Sequence, residues 1–265
     1  MSERVIKGIV LKSFDFQDFD KIVTIYSDKF GKMSFIALGV NKPTSKNMYS
    51  LNSFSFSEFE IFKSRSVYSL SKLKTGRLLE SNLGLTKIYN NYLFASIIST
   101  IMLQEQHFIG KNYTIYKMLE KSINNIANNK NPFSNLVWFI FYILKFLGGE
   151  WDLSKCYVCN QKNRIYRRFD FSNYGLVCAN CFDPSKEKKQ SVEFIDYLMN
   201  LQKNTFNSIF HEKMNVAYEI ILLRVLLTYL KDEIGIFSKS IDELLAKEIY
   251  REKEFVEYTY NVLTN

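Results

Sequence analysis

The chain has 265 residues, 47% hydrophobic and 23% charged, with a formal net charge of +8 and a pI near 9.1. That apolar content excludes a disordered tail, and the length leaves room for roughly two or three domains. Only 10 Gly and 3 Pro exclude collagenous and linker-like classes, and two histidines exclude a His-rich catalytic metal centre.

The first ten residues carry Glu3, Arg4 and Lys7 without an apolar stretch, so no secretory signal is expected. Five strands are then predicted, at 5–12, 21–27, 32–38, 54–62 and 67–74, each β-branched or aromatic and bounded by polar breaks. Gly31 and Lys32 sit at hairpin distance between the second and third, and a long polar loop containing Pro43 separates the third from the fourth. In the fourth, Phe54 and Phe56 share one parity and Phe59 and Ile61 the other, which predicts a β-bulge at Glu58. Five strands with one bent suit a small closed barrel, because closure removes exposed edges. An SH3-like barrel has the same count; the oligonucleotide-binding (OB) barrel is preferred.

From about Leu85 the period becomes helical. Ile88, Tyr92, Ala95, Ile98, Ser99 and Met102 mark one amphipathic helix, and Ile115, Met118, Leu119, Ser122 and Ile126 mark a second over 111–129. Leu136 to Leu144 is the greasiest stretch. At nine residues it is far short of the roughly 20 a membrane span needs. It reads as a buried helix over 135–147, capped by Ser134 and stopped by Gly148-Gly149. Further helices are expected at 191–202 and 213–232, and the acidic end from Ser240 to Leu263 is helical. The resulting class is α+β: a five-stranded barrel over 1–80, a helical domain over 81–150 and 191–265, and an inserted segment over 151–190. A cytoplasmic protein with no membrane partner is expected.

That inserted segment holds every cysteine. Cys156, Cys159, Cys178 and Cys181 form C-x2-C-x18-C-x2-C, two knuckles supplying the four soft ligands of a structural zinc ion. A disulfide framework, a redox pair and an iron–sulfur cluster are the rival readings; a reducing cytosol disfavours the first. Four cysteine ligands leave no open position for catalysis. Between the knuckles a strand, a turn at Asn173-Tyr174-Gly175 and a second strand predict a zinc-ribbon hairpin. Arg164, Arg167 and Arg168 lie on it, as a solvated face or as additional DNA contacts.

No phosphate loop, dinucleotide turn, nucleophile elbow or spare cysteine is present, so no enzyme chemistry is expected. From Lys29 to Arg77 there are nine basic side chains against Glu58 and Glu60, whereas beyond Asp232 acids outnumber bases about two to one. The contrast assigns nucleic-acid binding to the barrel. Lys42, Lys46, Lys72, Lys74 and Arg77 are the expected phosphate contacts, in loops or at strand ends, and Tyr49, Phe54, Phe56 and Tyr68 the candidate stacking rings.

The run VIKGIVLK from Val5, the run DKIVTIYSDKFGKMSFIALGVNKPTSK with its basic loop from Gly39 to Pro43, the segment FDFSNYGLVCANC at 169–181 and the stretch RVLLTYLKDEIGIFSKS at 224–240 occur in an order that resembles the bacterial RecO recombination-mediator family. The resemblance spans nearly the whole chain. It implies an N-terminal OB-fold, a helical domain with an inserted zinc ribbon, and no catalysis. It implies binding of single- and double-stranded DNA and annealing of complementary strands. It also implies contact with the acidic tail of single-stranded DNA-binding protein and, together with RecR, loading of RecA on coated strands, at the bacterial nucleoid. The rival functions are a zinc-ribbon transcription or RNA-binding factor, and a helical interaction scaffold.

Overall fold

The computed structural model describes residues 2–66, 69–104, 111–209 and 215–264. Tyr68, the expected start of the fifth strand at 67 and that of the helix at 213 lie outside them. The chain divides into two compact units, Met1–Leu136 and Val137–Asn265.

In the first unit, strands β1 (Ser2–Phe16), β2 (Asp20–Ser27), β3 (Gly31–Ala37), β4 (Phe56–Lys63) and β5 (Ser71–Glu80) close into a barrel in the order β1-β2-β3-β5-β4. Every pairing is antiparallel except β3 with β5, where Phe35 meets Ser71 and Ile36 meets Lys72. This is the five-stranded Greek-key closure of the OB barrel, and the SH3-like alternative drops out. Because β1 pairs along its length with both β2 and β4, it must bend. It does so at a bulge between Val10 and Lys12, and the freed carbonyl of Leu11 accepts the Ser99 hydroxyl at 2.7 Å. Ile6, Val10, Val23, Ile25, Phe35 and Phe59 fill the interior.

The phase slip expected at Glu58 falls elsewhere. Ser57, Phe59 and Ile61 alternate inward without interruption, and the register shifts lie at Phe56/Ser57 and Glu60/Ile61. Phe54 is outside β4: at φ +65° it turns the chain aside, and its N–H donates to the Val10 carbonyl at 2.7 Å. Parity across 54–61 was therefore read over a turn. Lys74 and Arg77 also prove to lie inside β5 and not in a loop or at a strand end.

Helix α1 (Tyr89–Gln104) buries Ala95, Ile98, Ser99 and Met102 but exposes Tyr92, with Ile88 exposed ahead of its first turn; Leu93, Phe94 and Ile97 are buried as well, so its apolar surface is wider than one stripe. Helix α2 (Tyr113–Ala127) buries all five expected positions and is capped by Asn112, whose side chain accepts the Ile115 N–H. Helix α3 (Pro132–Leu147), within which the two units divide, begins three residues earlier than expected. Proline is well suited to a first helical position, which leaves Ser134 inside the first turn. Gly148, at φ +75°, ends it.

The second unit adds the hairpin β6 (Tyr166–Asp170) and β7 (Gly175–Cys178), then α4 (Val192–Lys203), α5 (Val216–Asp232), α6 (Lys239–Leu245) and α7 (Glu252–Thr264). Ser191 caps α4 and Asn215 caps α5. The expected continuous C-terminal helix is broken by a 3-10 turn at Glu248–Tyr250, where Tyr250 is buried and its carbonyl accepts Arg224 Nε at 3.1 Å. Among the described residues no helix is long and apolar enough to cross a membrane.

Candidate metal centre and nucleic-acid face

The two knuckles fold alike. The N–H of Asn160 donates to the Cys156 carbonyl at 2.8 Å, and that of Phe182 to the Cys178 carbonyl at 3.0 Å, so each C-x2-C turns its two sulfurs to one side. Gly175 lets the hairpin approach closely, since a Cβ there would stand 2.7 Å from Cβ of Tyr157 in the first knuckle. The four Sγ atoms consequently lie within 4.8 Å of one another, with Cys159 and Cys178 sulfurs 3.8 Å apart. A tetrahedron with metal–sulfur bonds of about 2.3 Å has edges of about 3.8 Å. The donor set fits a thiophilic ion.

Electrostatics favour thiolate at the inner corner. Burial opposes ionisation of Cys156, but the N–H groups of Cys159, Cys178 and Val158 aim at its sulfur and bring its pKa down to about 6. Hydrogen bonding to Cys159, with desolvation, pushes Cys181 up to about 12. Crowded thiols cannot all ionise without a cation among them, and one would reverse that penalty.

The ribbon rests on rings that sequence periodicity did not reveal. Trp151 stacks on Tyr174 at 5.4 Å and 16°, with Phe169 at 5.6 Å and Tyr229 of α5 at 5.5 Å. Gln190 clamps β6, accepting the Phe169 N–H at 2.7 Å and donating to its carbonyl at 3.1 Å. Of the three ribbon arginines, Arg168 is ion-paired with Asp170 at 3.1 Å and with Glu187. Arg164 is exposed and Arg167 half-buried.

On the barrel, the expected basic residues separate onto different surfaces. Lys74 sits between Glu3 and Glu60, whose hydrogen bonds hold its pKa above the usual lysine value, and Arg77 pairs with Glu58 at 2.9 Å. The two carboxylates noted in the basic run are thus the partners of two of its cations. Lys42 and Lys46 are exposed on the loop after β3; Asn41 donates to the Phe19 carbonyl and Lys42 lies 5.7 Å over the Phe19 ring. Lys72 is exposed opposite Ile36.

The outer face of β1, β2 and β3 was missed by the charge count, which began at Lys29. Lys12, Thr24 and Ser34 are in register across it, with Phe14, Ile22 and Ile36 in the next row. Thr24 and Ser34 hydroxyls are 2.8 Å apart, and Lys12 lies 5.5 Å over the Phe14 ring. A cavity of about 640 Å3 opens here, walled also by Lys32 and by Leu70 from the β4–β5 connection. Phe14, Phe16 and Phe19 stand 42%, 38% and 48% exposed. Interleaved aspartates masked this patch in the sequence. One of them, Asp15, is held below the usual carboxylate range by Lys21 and Asn41. Among the candidate rings Tyr49 is exposed, whereas Phe54 is buried edge-on to Tyr92 and Phe56 packs beside Tyr116, because the turn before β4 feeds both toward the helices.

Two family models cover most of the chain: that described as Recombination protein O N terminal matches residues 1–81, and that described as Recombination protein O C terminal matches residues 88–241. A protein named DNA repair protein RecO from Mesoplasma florum is 54% identical over 264 residues, covering 100% of this chain and 98% of its own. Proteins of the same name from Mycoplasma mycoides subsp. mycoides and Mycoplasma capricolum subsp. capricolum are 43% and 38% identical, each covering 90% of this chain and 96% of its own.

Proposed function

The chain belongs to the RecO family of DNA repair and recombination proteins, and from that premise we propose that it is a non-catalytic mediator that binds single- and double-stranded DNA and anneals complementary strands. The observation that carries this reading is the β1–β2–β3 face, where Lys12, Lys32 and Phe14 line one open cavity and Phe16 and Phe19 stand exposed at the turn from β1 to β2. Phosphates are neutralised by lysines through counterion release, while rings stack on whichever base is presented, so sequence preference is low. Lys12 and Phe14 form the centre of the site, with Lys42, Lys46 and Lys72 along its margins. Lys74 and Arg77 join it only when their carboxylate partners are displaced.

The finer roles follow the family resemblance: partnership with RecR, contact with the tail of single-stranded DNA-binding protein, and loading of RecA on coated strands. We assign residues 1–80 to DNA binding, 151–190 to a structural ribbon and 81–150 with 191–265 to the helical domain. The ion at Cys156, Cys159, Cys178 and Cys181 is zinc, because four thiolates in a tetrahedron suit it and leave no position for water. Its task is structural. The test is an annealing assay with bare and protein-coated strands, run beside titration of a labelled oligonucleotide. Salt-sensitive binding with little sequence preference, a log–log slope near −3 and accelerated annealing are expected for about four phosphate contacts. Sequence-selective binding, or preference for folded RNA, would transfer the protein to the transcription or RNA-binding class.

A further inference from the structure

Between residues 151 and 190 the ribbon has four carboxylates, and each is engaged: Asp152 with Lys155, Asp183 with Lys186, and both Asp170 and Glu187 with Arg168. Lys162, Arg164, Arg167 and Lys189 have neither an ion pair nor a side-chain hydrogen bond among the described residues. The fold itself sorts the two adjacent arginines. Pairing passes from Tyr166↔Cys178 to Arg168↔Val177, which leaves Arg167 as the extra residue of a β-bulge. Arg168 enters the Asp170–Glu187 network, which also holds the turn through Asp170 and the N–H groups of Ser172 and Asn173. Arg167 is turned out of it. Its carbonyl accepts the N–H of Gln190 at 3.0 Å, which lays Lys189 alongside, while Arg164 and the 70%-exposed Ile165 lead into the same strand.

We propose that this edge of the ribbon is a second phosphate-binding site, which holds the backbone of a second nucleic-acid strand while the barrel holds the first; this rests on the barrel reading above. Cations left unpaired by the fold along one strand edge suit a polyanion. Ile165, exposed beside them, offers no face for base stacking, and the Tyr157 hydroxyl is tied to Asp170 at 3.2 Å, so the site tracks backbone and not bases. Annealing needs the charge of two strands neutralised, and a cationic site in each unit supplies that for one strand apiece.

The experiment uses the full-length, metal-loaded protein with one unlabelled oligonucleotide per molecule. Capture of a second, non-complementary labelled oligonucleotide is then titrated, with bound metal measured in parallel. In the R164A/R167A double variant, first-strand affinity should stay within about twofold of wild type. Second-strand affinity should fall about tenfold and its salt slope flatten by about 1.4. R168A should instead lose thermal stability or metal, with second-strand capture per folded molecule retained. Unchanged capture by R164A/R167A overturns the proposal. So does release of the metal from that variant, which would mean these cations only offset thiolate charge. If wild-type protein fails to hold even the first strand, both the barrel reading and this one fall.

Discussion

The barrel and the ribbon are both cationic, yet they are held together by different means. Ile6, Val10, Val23, Ile25, Phe35 and Phe59 give the barrel a continuous apolar interior. The ribbon encloses four sulfurs and leans on Trp151, Tyr174 and Phe169. In both, carboxylates cancel part of the charge: Glu3, Glu58 and Glu60 engage Lys74 and Arg77 on the barrel, and Asp170 and Glu187 engage Arg168 on the ribbon. Charge counted along a chain is therefore not the charge offered to a partner. Cross-strand pairing decides what is left.

Removing the metal should separate the two regions most sharply. Structural zinc sites contribute on the order of 10–16 kcal/mol of apparent binding free energy that is also folding free energy, so Cys178→Ser or chelation should unfold residues 151–190. Hydrogen exchange would show lost protection in the ribbon and retained protection in β1–β5. Equal loss in both would mean that the barrel is not an independent structure.

Trp151→Ala probes the ribbon's apolar seat without touching a cysteine. Truncating a buried tryptophan typically costs about 3–5 kcal/mol, and Trp151 is 4% exposed among four rings. The thermal transition of the second unit should fall while metal content at low temperature stays stoichiometric. A variant melting like wild type would remove the rings from the account.

On the barrel, Lys12→Ala with Phe14→Ala should weaken oligonucleotide binding by about one to two orders of magnitude, since a lost base stack costs about 1–3 kcal/mol. Folding should be unaffected, because both side chains are exposed. Equal affinity in the double variant would show that DNA is held away from the β1–β2–β3 face.

What the sequence made legible was whatever depends on spacing. The cysteine pairs predicted a four-sulfur cluster, the break at Gly148-Gly149 predicted the end of α3, and alternation predicted five strands. Two kinds of feature were hidden. The turn at Phe54 has no local signature, since a phenylalanine with positive φ is rare, so parity was carried through it. The patch of Lys12, Phe14 and Thr24 joins strands through register, and register is set by closure of the whole barrel. The pairing of Lys74 and Arg77 with Glu60 and Glu58 was hidden in the same way: residues 14 and 19 apart become neighbours only when β4 and β5 pair.

The smallest expected effect tests that cancellation directly. If Glu3, Glu58 and Glu60 are what keep Lys74 and Arg77 from acting as phosphate contacts, replacing all three with glutamine should free two cations on the barrel. Stability should change little, because exposed ion pairs contribute little net free energy. The salt dependence of single-strand binding should steepen by up to about 1.4 log–log units, at about 0.7 per added phosphate contact. Arg77→Ala in the native background should leave the slope where it was, since its charge is already taken by Glu58. The opposite pattern is informative. A flatter slope in Arg77→Ala, with no steepening in the triple glutamine variant, would mean that DNA already displaces Glu58 when it binds. The two sides of the barrel would then form one continuous contact surface, and the ion pairs would mark the unbound state alone.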